Sequence, residues 1–194
     1  MTKLYKYAYT FALAVSLAFI ILVSTPIVAY PATIKMVGDD MILINGEILL
    51  GDGDAFVTLL EENPDVEYVG VNSIGGTVPD GMNISTAVHD KKLTTMIAKG
   101  SECYSMCGVI FLSGAKRVSD VRSGIGLHAP YFEWDDGLIE VAVEATAEIA
   151  WWLGKIGVPL TIIKEMSISG PLEYVYYSAH DLVAYGVEVT ILED

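Results

Sequence analysis

The sequence predicts an α/β fold with a largely parallel sheet. Short apolar runs bounded by glycine, proline or asparagine alternate with segments whose apolar residues recur at helical spacing. The alternation continues from Met41 to the end of the chain, and no internal repeat or low-complexity tract interrupts it. Strands that alternate with helices in this way indicate parallel strands joined by helical crossovers.

Five apolar segments predict strands. Each is short and is followed by turn-forming residues, and the first contains Asn45-Gly46, which predicts a turn or a bulge. The predicted strands span residues 41–48, 66–71, 93–98, 125–127 and 187–192.

Six segments predict helices. Asp52 or Asp54 is expected to cap the first, Pro79 suits the first turn of the second, and Ser178 is expected to cap the last. The fourth predicted helix, residues 138–156, is apolar almost all around, so we expect a long helix buried on two sides. The predicted helices span residues 55–60, 79–90, 105–112, 138–156, 161–166 and 178–186.

The first 32 residues predict an export leader rather than part of the fold. Lys3 and Lys6 precede an uncharged apolar run over residues 8–29, which is the pattern of a secretory signal peptide. Small residues near its end offer cleavage sites, but the run is also long enough to remain as a membrane anchor. Under both alternatives residues 33–194 form one exported domain, periplasmic or anchored facing outside the cytoplasm.

The charge of the chain argues against nucleic acid and anionic lipid as partners. Its 25 acidic side chains outnumber 11 basic ones, and the net charge is −14. Phosphate groups would be repelled by such a surface rather than neutralised. Two cysteines without a histidine pair nearby do not form a zinc-ligand pattern, and the sequence predicts no metal and no cofactor.

Three motifs supply the parts of an acyl-transfer site. A Gly75-Gly76 turn follows one strand, Ser105 begins a helix, and His128 follows a short strand. Residues at the ends of neighbouring strands meet at one edge of a sheet, so a backbone donor, a hydroxyl and an imidazole would converge. A serine at a helix start also lies beside unpaired amides, which stabilise an oxyanion. We predict a serine hydrolase; a capping Ser105 and a core His128 are the structural alternatives.

Cys103 and Cys107 flank Ser105. An exported chain meets an oxidising compartment, which permits a disulfide, and residues four apart lie on one face of a regular helix. Two buried thiols packed beneath the helix are the alternative. We predict a disulfide that steadies the serine turn.

Five motifs resemble the Clp protease proteolytic subunit family, within the broader ClpP/crotonase fold. They occur in the family's order between about Ile42 and Leu192, and the resemblance is closer to exported members in which cysteines flank the serine motif. The motifs are Asn72-Ser73-Ile74-Gly75-Gly76, Tyr104-Ser105-Met106, Gly114-Ala115-Lys116-Arg117, Leu127-His128-Ala129-Pro130 and Ser178 to Gly186.

The resemblance implies a core of stacked β-β-α units with Ser105 as nucleophile and His128 as general base. It implies an oxyanion hole made by the amides of Gly76 and Met106, peptide or protein substrates, and a homo-oligomer. The segment between His128 and Gly157 is shorter than the one that joins two rings in the protease subunits, so we do not expect a double ring.

One position departs from the family's pattern. The acidic triad member of the family aligns with Tyr174, and loss of an orienting carboxylate slows such enzymes by a factor on the order of 10⁴. Glu173 and Asp181 are the candidate replacements. A catalytically inactive ClpP-like module for binding or assembly is therefore the alternative function, and acyl-CoA chemistry is disfavoured because that substrate is cytosolic.

Overall fold

The computed structural model describes residues 32–193, and strands and helices alternate from Met41 to Ser113 within that range. The strands are β1 Thr33–Val37, β2 Met41–Asn45, β3 Tyr68–Asn72, β4 Thr94–Ile97, β5 Lys116–Asp120, β6 Gly124–Leu127, β7 Tyr131–Glu133, β8 Ile139–Val141, β9 Val175–Ser178 and β10 Thr190–Leu192. The helices are α1 Asp52–Glu62, α2 Val78–Asp90, α3 Met106–Ser113, α4 Val143–Lys155, α5 Leu160–Ile168 and α6 Ala179–Ala184. The export leader predicted from the apolar run at 8–29 lies outside the described residues. Between residues 32 and 193 no helix has the length and apolar character needed to span a bilayer.

The main sheet has six strands in the order β1-β2-β3-β4-β5-β10. All neighbouring strands are parallel except the antiparallel β1–β2 hairpin. Ile42 pairs with Val69 in register, and both side chains are fully buried. The prediction of a largely parallel α/β sheet is therefore confirmed. Strands β1, β5 and β9 were not predicted, because β1 and β5 contain exposed or charged residues and β9 lies within a tyrosine-rich segment.

A second set of pairings forms where the chain runs past the ends of the sheet strands. Three isolated parallel bridges join the segments that follow β2, β3 and β4 to one another and to β6. Strand β6 also pairs antiparallel with β9. The bridges are Ile48 with Gly76, Ser73 with Cys103, and Tyr104 with Gly126.

Helix α3 occupies the centre of the molecule, and all eight of its residues are buried. Helix α2 packs directly on it, because Gly81 has no side chain to keep the two apart. A Cβ atom at Gly81 would lie 2.9 Å from Cβ of Met106, closer than such atoms can approach. The close packing places the start of α3 against the start of α2.

The cap of helix α1 comes from a residue that the sequence did not indicate. Asp52 and Asp54 were expected to cap it, but the N-cap residue is Gly51 and has no side-chain cap. Oδ1 of Asp80, in α2, accepts hydrogen bonds from the amides of Gly51 at 2.8 Å and Gly53 at 3.0 Å. Burial alone would raise the pKa of Asp80, but the hydrogen bonds from Thr77, Gly53 and Gly51 hold that pKa below its ordinary value.

The predicted long helix at 138–156 is wrong in its first part. Residues 131–141 form the β7–β8 hairpin, whose turn is made by Gly137 at φ 81°. Helix α4 begins only at Val143 and buries one stripe rather than two sides: Ile149, Trp152 and Leu153 are buried, and Trp151 is 63% exposed. The apolar content of residues 138–141 predicts a helix as well as a strand, because a short apolar run does not distinguish the two elements.

Replacement of Asp80 by alanine should destabilise the protein by about 1–3 kcal/mol, because it leaves the amide of Gly51 and the buried amide of Gly53 without an acceptor. Urea denaturation of the folded domain measures this change. Asp54→Ala is the matched control, since its exposed carboxylate accepts a hydrogen bond from the side chain of Asn83, and it should cost less than about 1 kcal/mol. Equal losses in the two variants would contradict the assigned role of Asp80.

Candidate active site

Ser105 lies in a strained turn between the last bridge and helix α3. Its backbone adopts φ 55° and ψ −126°, a conformation that residues other than glycine rarely adopt. The amide of Ser105 donates to the carbonyl of Gly126 at 2.7 Å, and its own carbonyl accepts from the amide of Gly108 at 2.9 Å. Strained turns of this kind between a strand and a helix expose the nucleophile of α/β-hydrolases.

The imidazole of His128 contacts the hydroxyl of Ser105. His128 directly follows β6 and is 7% exposed. Its Nε2 lies 2.8 Å from Oγ of Ser105, within the range in which a base can remove a hydroxyl proton. The structure therefore brings together the two side chains that the sequence singled out.

Gly76 and Met106, whose amides were predicted to form an oxyanion hole, line the same cavity. The amide of Ile48 donates to the carbonyl of Gly75, and the amide of Thr77 donates to the carbonyl of Ile48, so the N–H of Gly76 between them is directed away from Ile48. Met106 is the first residue of α3, where no carbonyl of the helix can accept its N–H. Both residues line one cavity with Ser105 and His128.

Gly75 allows this convergence. It has φ 96°, and a Cβ atom there would lie 2.5 Å from Cβ of Ser105 and 3.0 Å from the amide nitrogen of Met106. Any side chain would therefore separate the glycine turn from the serine turn. The Gly-Gly sequence is required by close approach as well as by backbone conformation.

The cavity at the Ser105 hydroxyl has a volume of about 410 Å³, which is within the usual range for ligand sites. Its inner wall is apolar and comes from α3, β6, α4 and α5. The residues that form this wall are Val109, Leu127, Ile149 and Met166. The carboxylates of Glu47 and Glu133 also line the cavity, although the sequence analysis did not single them out.

Cys103 and Cys107 lie at bonding distance, as predicted, with their Cα atoms 5.1 Å apart. The geometry differs from the expected one, because Cys103 precedes α3 and only Cys107 lies in it. The pair therefore spans the non-helical Ser105 rather than one face of a regular helix. Both sulfur-bearing side chains are 1% exposed.

The other ring nitrogen of His128 has no carboxylate beside it. Nδ1 is buried and has no hydrogen-bond partner among residues 32–193. Asp181 lies in the capping box of α6, where Oδ2 accepts from the amide of Ser178 at 2.9 Å and from its hydroxyl at 2.6 Å. Glu173 lines a different cavity, which does not include Ser105 or His128. The structure thus brings neither predicted acid to the imidazole.

Aromatic rings surround His128 instead. The ring of Tyr174 lies 4.8 Å from the imidazole at an interplanar angle of 64°, and Tyr131 lies at 5.7 Å. Burial lowers the pKa of His128 below its ordinary 6.5, and nearby backbone groups of Ala129 and Pro171 only partly offset this effect. Sequence reasoning placed Tyr174 at the acid position but could not show that its ring packs on His128.

Comparison with known proteins identifies the fold. No model of a protein family matches the chain, and no curated protein matches it. A serine-to-alanine mutant of the 1510-N membrane-bound stomatin-specific protease matches with a TM-score of 0.60 and 19% identity, covering 82% of each chain. The ClpP protease catalytic domain from Plasmodium falciparum matches with a TM-score of 0.61 and 19% identity, covering 80% of this chain and 86% of that one.

A second structure of the stomatin-specific protease, a lysine-to-alanine mutant in complex with a substrate peptide, matches with a TM-score of 0.57 and 18% identity. It covers 81% of this chain and 78% of its own. Likeness at these identities shows the fold, and the parallel sheet, the second set of pairings and the buried central helix agree with it. The chain therefore has the ClpP-like fold that its motifs indicated.

Proposed function

We propose that this chain is an exported serine hydrolase of the peptidase type. The observation that carries the proposal is the 2.8 Å contact between Oγ of Ser105 and Nε2 of His128, made by a serine whose backbone is strained. The fold supports the proposal, because the similar structures include ClpP and the stomatin-specific protease. The apolar leader pattern at residues 8–29 supports export, with the leader either cleaved or retained as an anchor.

The proposed reaction begins when a substrate carbonyl enters the cavity. Nε2 of His128 removes the hydroxyl proton as Oγ of Ser105 attacks the carbonyl carbon, and the resulting oxyanion accepts hydrogen bonds from the N–H groups of Gly76 and Met106. The imidazolium then returns its proton to the leaving amine, which departs and leaves an acyl-enzyme. Water, deprotonated by His128, attacks the ester and releases the acid.

The lining of the cavity supports a peptide or protein substrate. Apolar side chains such as Val109 and Met166 form its inner wall, and they would contact an apolar side chain next to the scissile bond. A homo-oligomer is part of the proposal, and the exposed apolar residues of the β7–β8 hairpin support it. Phe132 is 59% exposed, Trp134 is 54% exposed and Leu138 is 59% exposed.

A catalytically inactive binding or assembly module is the second candidate. The observation that favours it is the absence of any carboxylate from Nδ1 of His128 among the described residues. This alternative predicts that Ser105→Ala leaves the biological phenotype unchanged. Loss of the phenotype with stable Ser105→Ala protein would exclude it.

Labelling with a fluorophosphonate probe tests the hydrolase proposal directly. We expect a covalent adduct on Ser105 in the folded wild-type protein, detected by intact-mass and peptide mass spectrometry, and no adduct in Ser105→Ala. Ser101→Ala is the matched control and should label as wild type, because this nearby loop serine is not part of the cavity lining. Absence of a Ser105-dependent adduct on folded protein would refute the proposal.

The labelling rate should fall in acid with a midpoint below pH 6.5. His128 acts as a base only when it is neutral, and burial lowers its pKa, so the imidazole stays neutral to a lower pH than a solvated histidine does. The rate is therefore full well above the folded-state pKa of His128 and is lost as the pH falls through that pKa. A pH series of initial labelling rates gives the midpoint. A midpoint at or above pH 6.5 would contradict a pKa of His128 lowered by burial.

Removal of the cysteine pair should weaken both the fold and the site. A cross-link closing a loop of this size stabilises by about 2 kcal/mol in the chain-entropy model, and this one spans the strained Ser105. We expect the double variant Cys103→Ala and Cys107→Ala to lose about that free energy of unfolding and to label more slowly at a temperature where it is folded. Free thiols in exported wild-type protein, or an unchanged unfolding free energy, would contradict this role.

A further inference from the structure

The two ring nitrogens of His128 have different surroundings. One nitrogen contacts Ser105, and the other, Nδ1, is buried without a hydrogen-bond partner in the part of the chain that the structure describes. A histidine base needs its ring oriented so that Nε2 faces the hydroxyl, and a carboxylate on Nδ1 usually supplies that orientation. In this chain backbone groups of Ala129 and Pro171 act on the ring, no carboxylate does so among the described residues, and a further side-chain contact is needed to orient it.

A row of tyrosine rings provides that contact. Tyr104 packs edge-on against Tyr174 at 5.2 Å, and Tyr174 packs edge-on against His128 at 4.8 Å. Tyr104 directly precedes Ser105, so the row joins the serine turn to the imidazole through one intervening ring. Edge-to-face pairs at these separations are the arrangement that aromatic rings prefer.

The backbone fixes the place of this row. Strand β9 pairs with β6 in register, with Val175 opposite Leu127, so Tyr174 lies beside His128 at the end of the ladder. Gly126 leaves the space, because a Cβ atom there would collide with the ring of Tyr104 and lie 3.4 Å from Cδ1 of Tyr174. The rings are therefore held by the same pairings that hold the serine turn.

The row supplies contact but no negative charge at neutral pH. Burial raises the pKa of Tyr174, and the neighbouring rings of Tyr131 and Tyr104 raise it further. The titratable groups that face the imidazole are Tyr131 from β7 and Tyr174 from the segment before β9, and the carboxylates that line the same cavity are Glu47 and Glu133.

We propose that Tyr174 is a positioning residue that orients His128 by edge-to-face packing, at the place where the related fold uses a carboxylate. The inference rests on the proposed function, because it assigns the ring a role in the action of the Ser105 and His128 pair. The consequence is an imidazole that is well placed but whose protonated form is not stabilised. Such a pair acylates slowly and gains from a carboxylate at position 174.

Four variants and one control test the proposal by fluorophosphonate labelling rate. Tyr174→Phe keeps the ring and should label within about twofold of wild type, whereas Tyr174→Ala and Tyr174→Leu lose the edge contact and should label about 10- to 100-fold more slowly. Tyr174→Asp adds a carboxylate and should label at least about tenfold faster than Tyr174→Ala. Tyr176→Ala is the matched control, because Tyr176 is 50% exposed, as Tyr174 is 49% exposed, and should label as wild type.

A measurement that needs no hydrolysis separates this inference from the proposed function. The pKa of His128, followed by NMR titration of the ring in a Ser105→Ala background, should rise in Tyr174→Asp because an adjacent carboxylate favours imidazolium. It should stay at the wild-type value in Tyr174→Phe. If no variant labels at Ser105 but the pKa rises as stated, the hydrolase proposal fails and the placement of Tyr174 stands.

Two results would overturn the positioning role. One is labelling of both folded Tyr174→Ala and folded Tyr174→Leu at the wild-type rate. The other is a pKa of His128 that does not change in Tyr174→Asp. Circular dichroism of each variant establishes that the compared proteins are folded.

Discussion

The backbone pairing of residues 102–105 between two neighbouring segments is the constraint on which the site depends. On one side the amide of Ser73 donates to the carbonyl of Glu102 at 2.7 Å, and the amide of Tyr104 donates to the carbonyl of Ser73 at 3.0 Å. On the other side the amides of Gly126 and Ser105 complete two further bonds, at 2.9 Å and 2.7 Å. Strain at Ser105 persists because these bonds leave the chain no relaxed alternative.

The same two segments carry the glycine turn and the imidazole of the candidate site. The segment that begins at Ser73 continues into Gly75 and Gly76, and the segment that contains Gly126 continues into His128. The amide donor, the hydroxyl and the imidazole thus lie on neighbouring segments of the chain that share backbone hydrogen bonds. Their relative positions are therefore set by backbone geometry. Sites held in this way are more rigid than sites carried on free loops.

The environment of the imidazole sets the chemistry that the site can perform. Rings and a buried wall make the surroundings of His128 apolar, and burial lowers its pKa. A neutral base is then present over a wide pH range, but the imidazolium formed during acylation has no carboxylate to stabilise it. The hydrolase proposed for this chain is therefore expected to acylate slowly.

The sequence by itself determined the alternating strand and helix patterns that imply a parallel sheet, the order of the motifs and the local capping of α6 by Ser178 and Asp181, because those features depend on residues close together in the chain. It did not show the β7–β8 hairpin, the cap that Asp80 forms 27 and 29 residues away from its partners, or the ring of Tyr174 on His128. Only the tertiary structure decided these contacts, because they depend on which distant segments pack together. The candidate residues Ser105 and His128 were therefore identifiable from the sequence, and the tyrosine ring that packs on His128 was not.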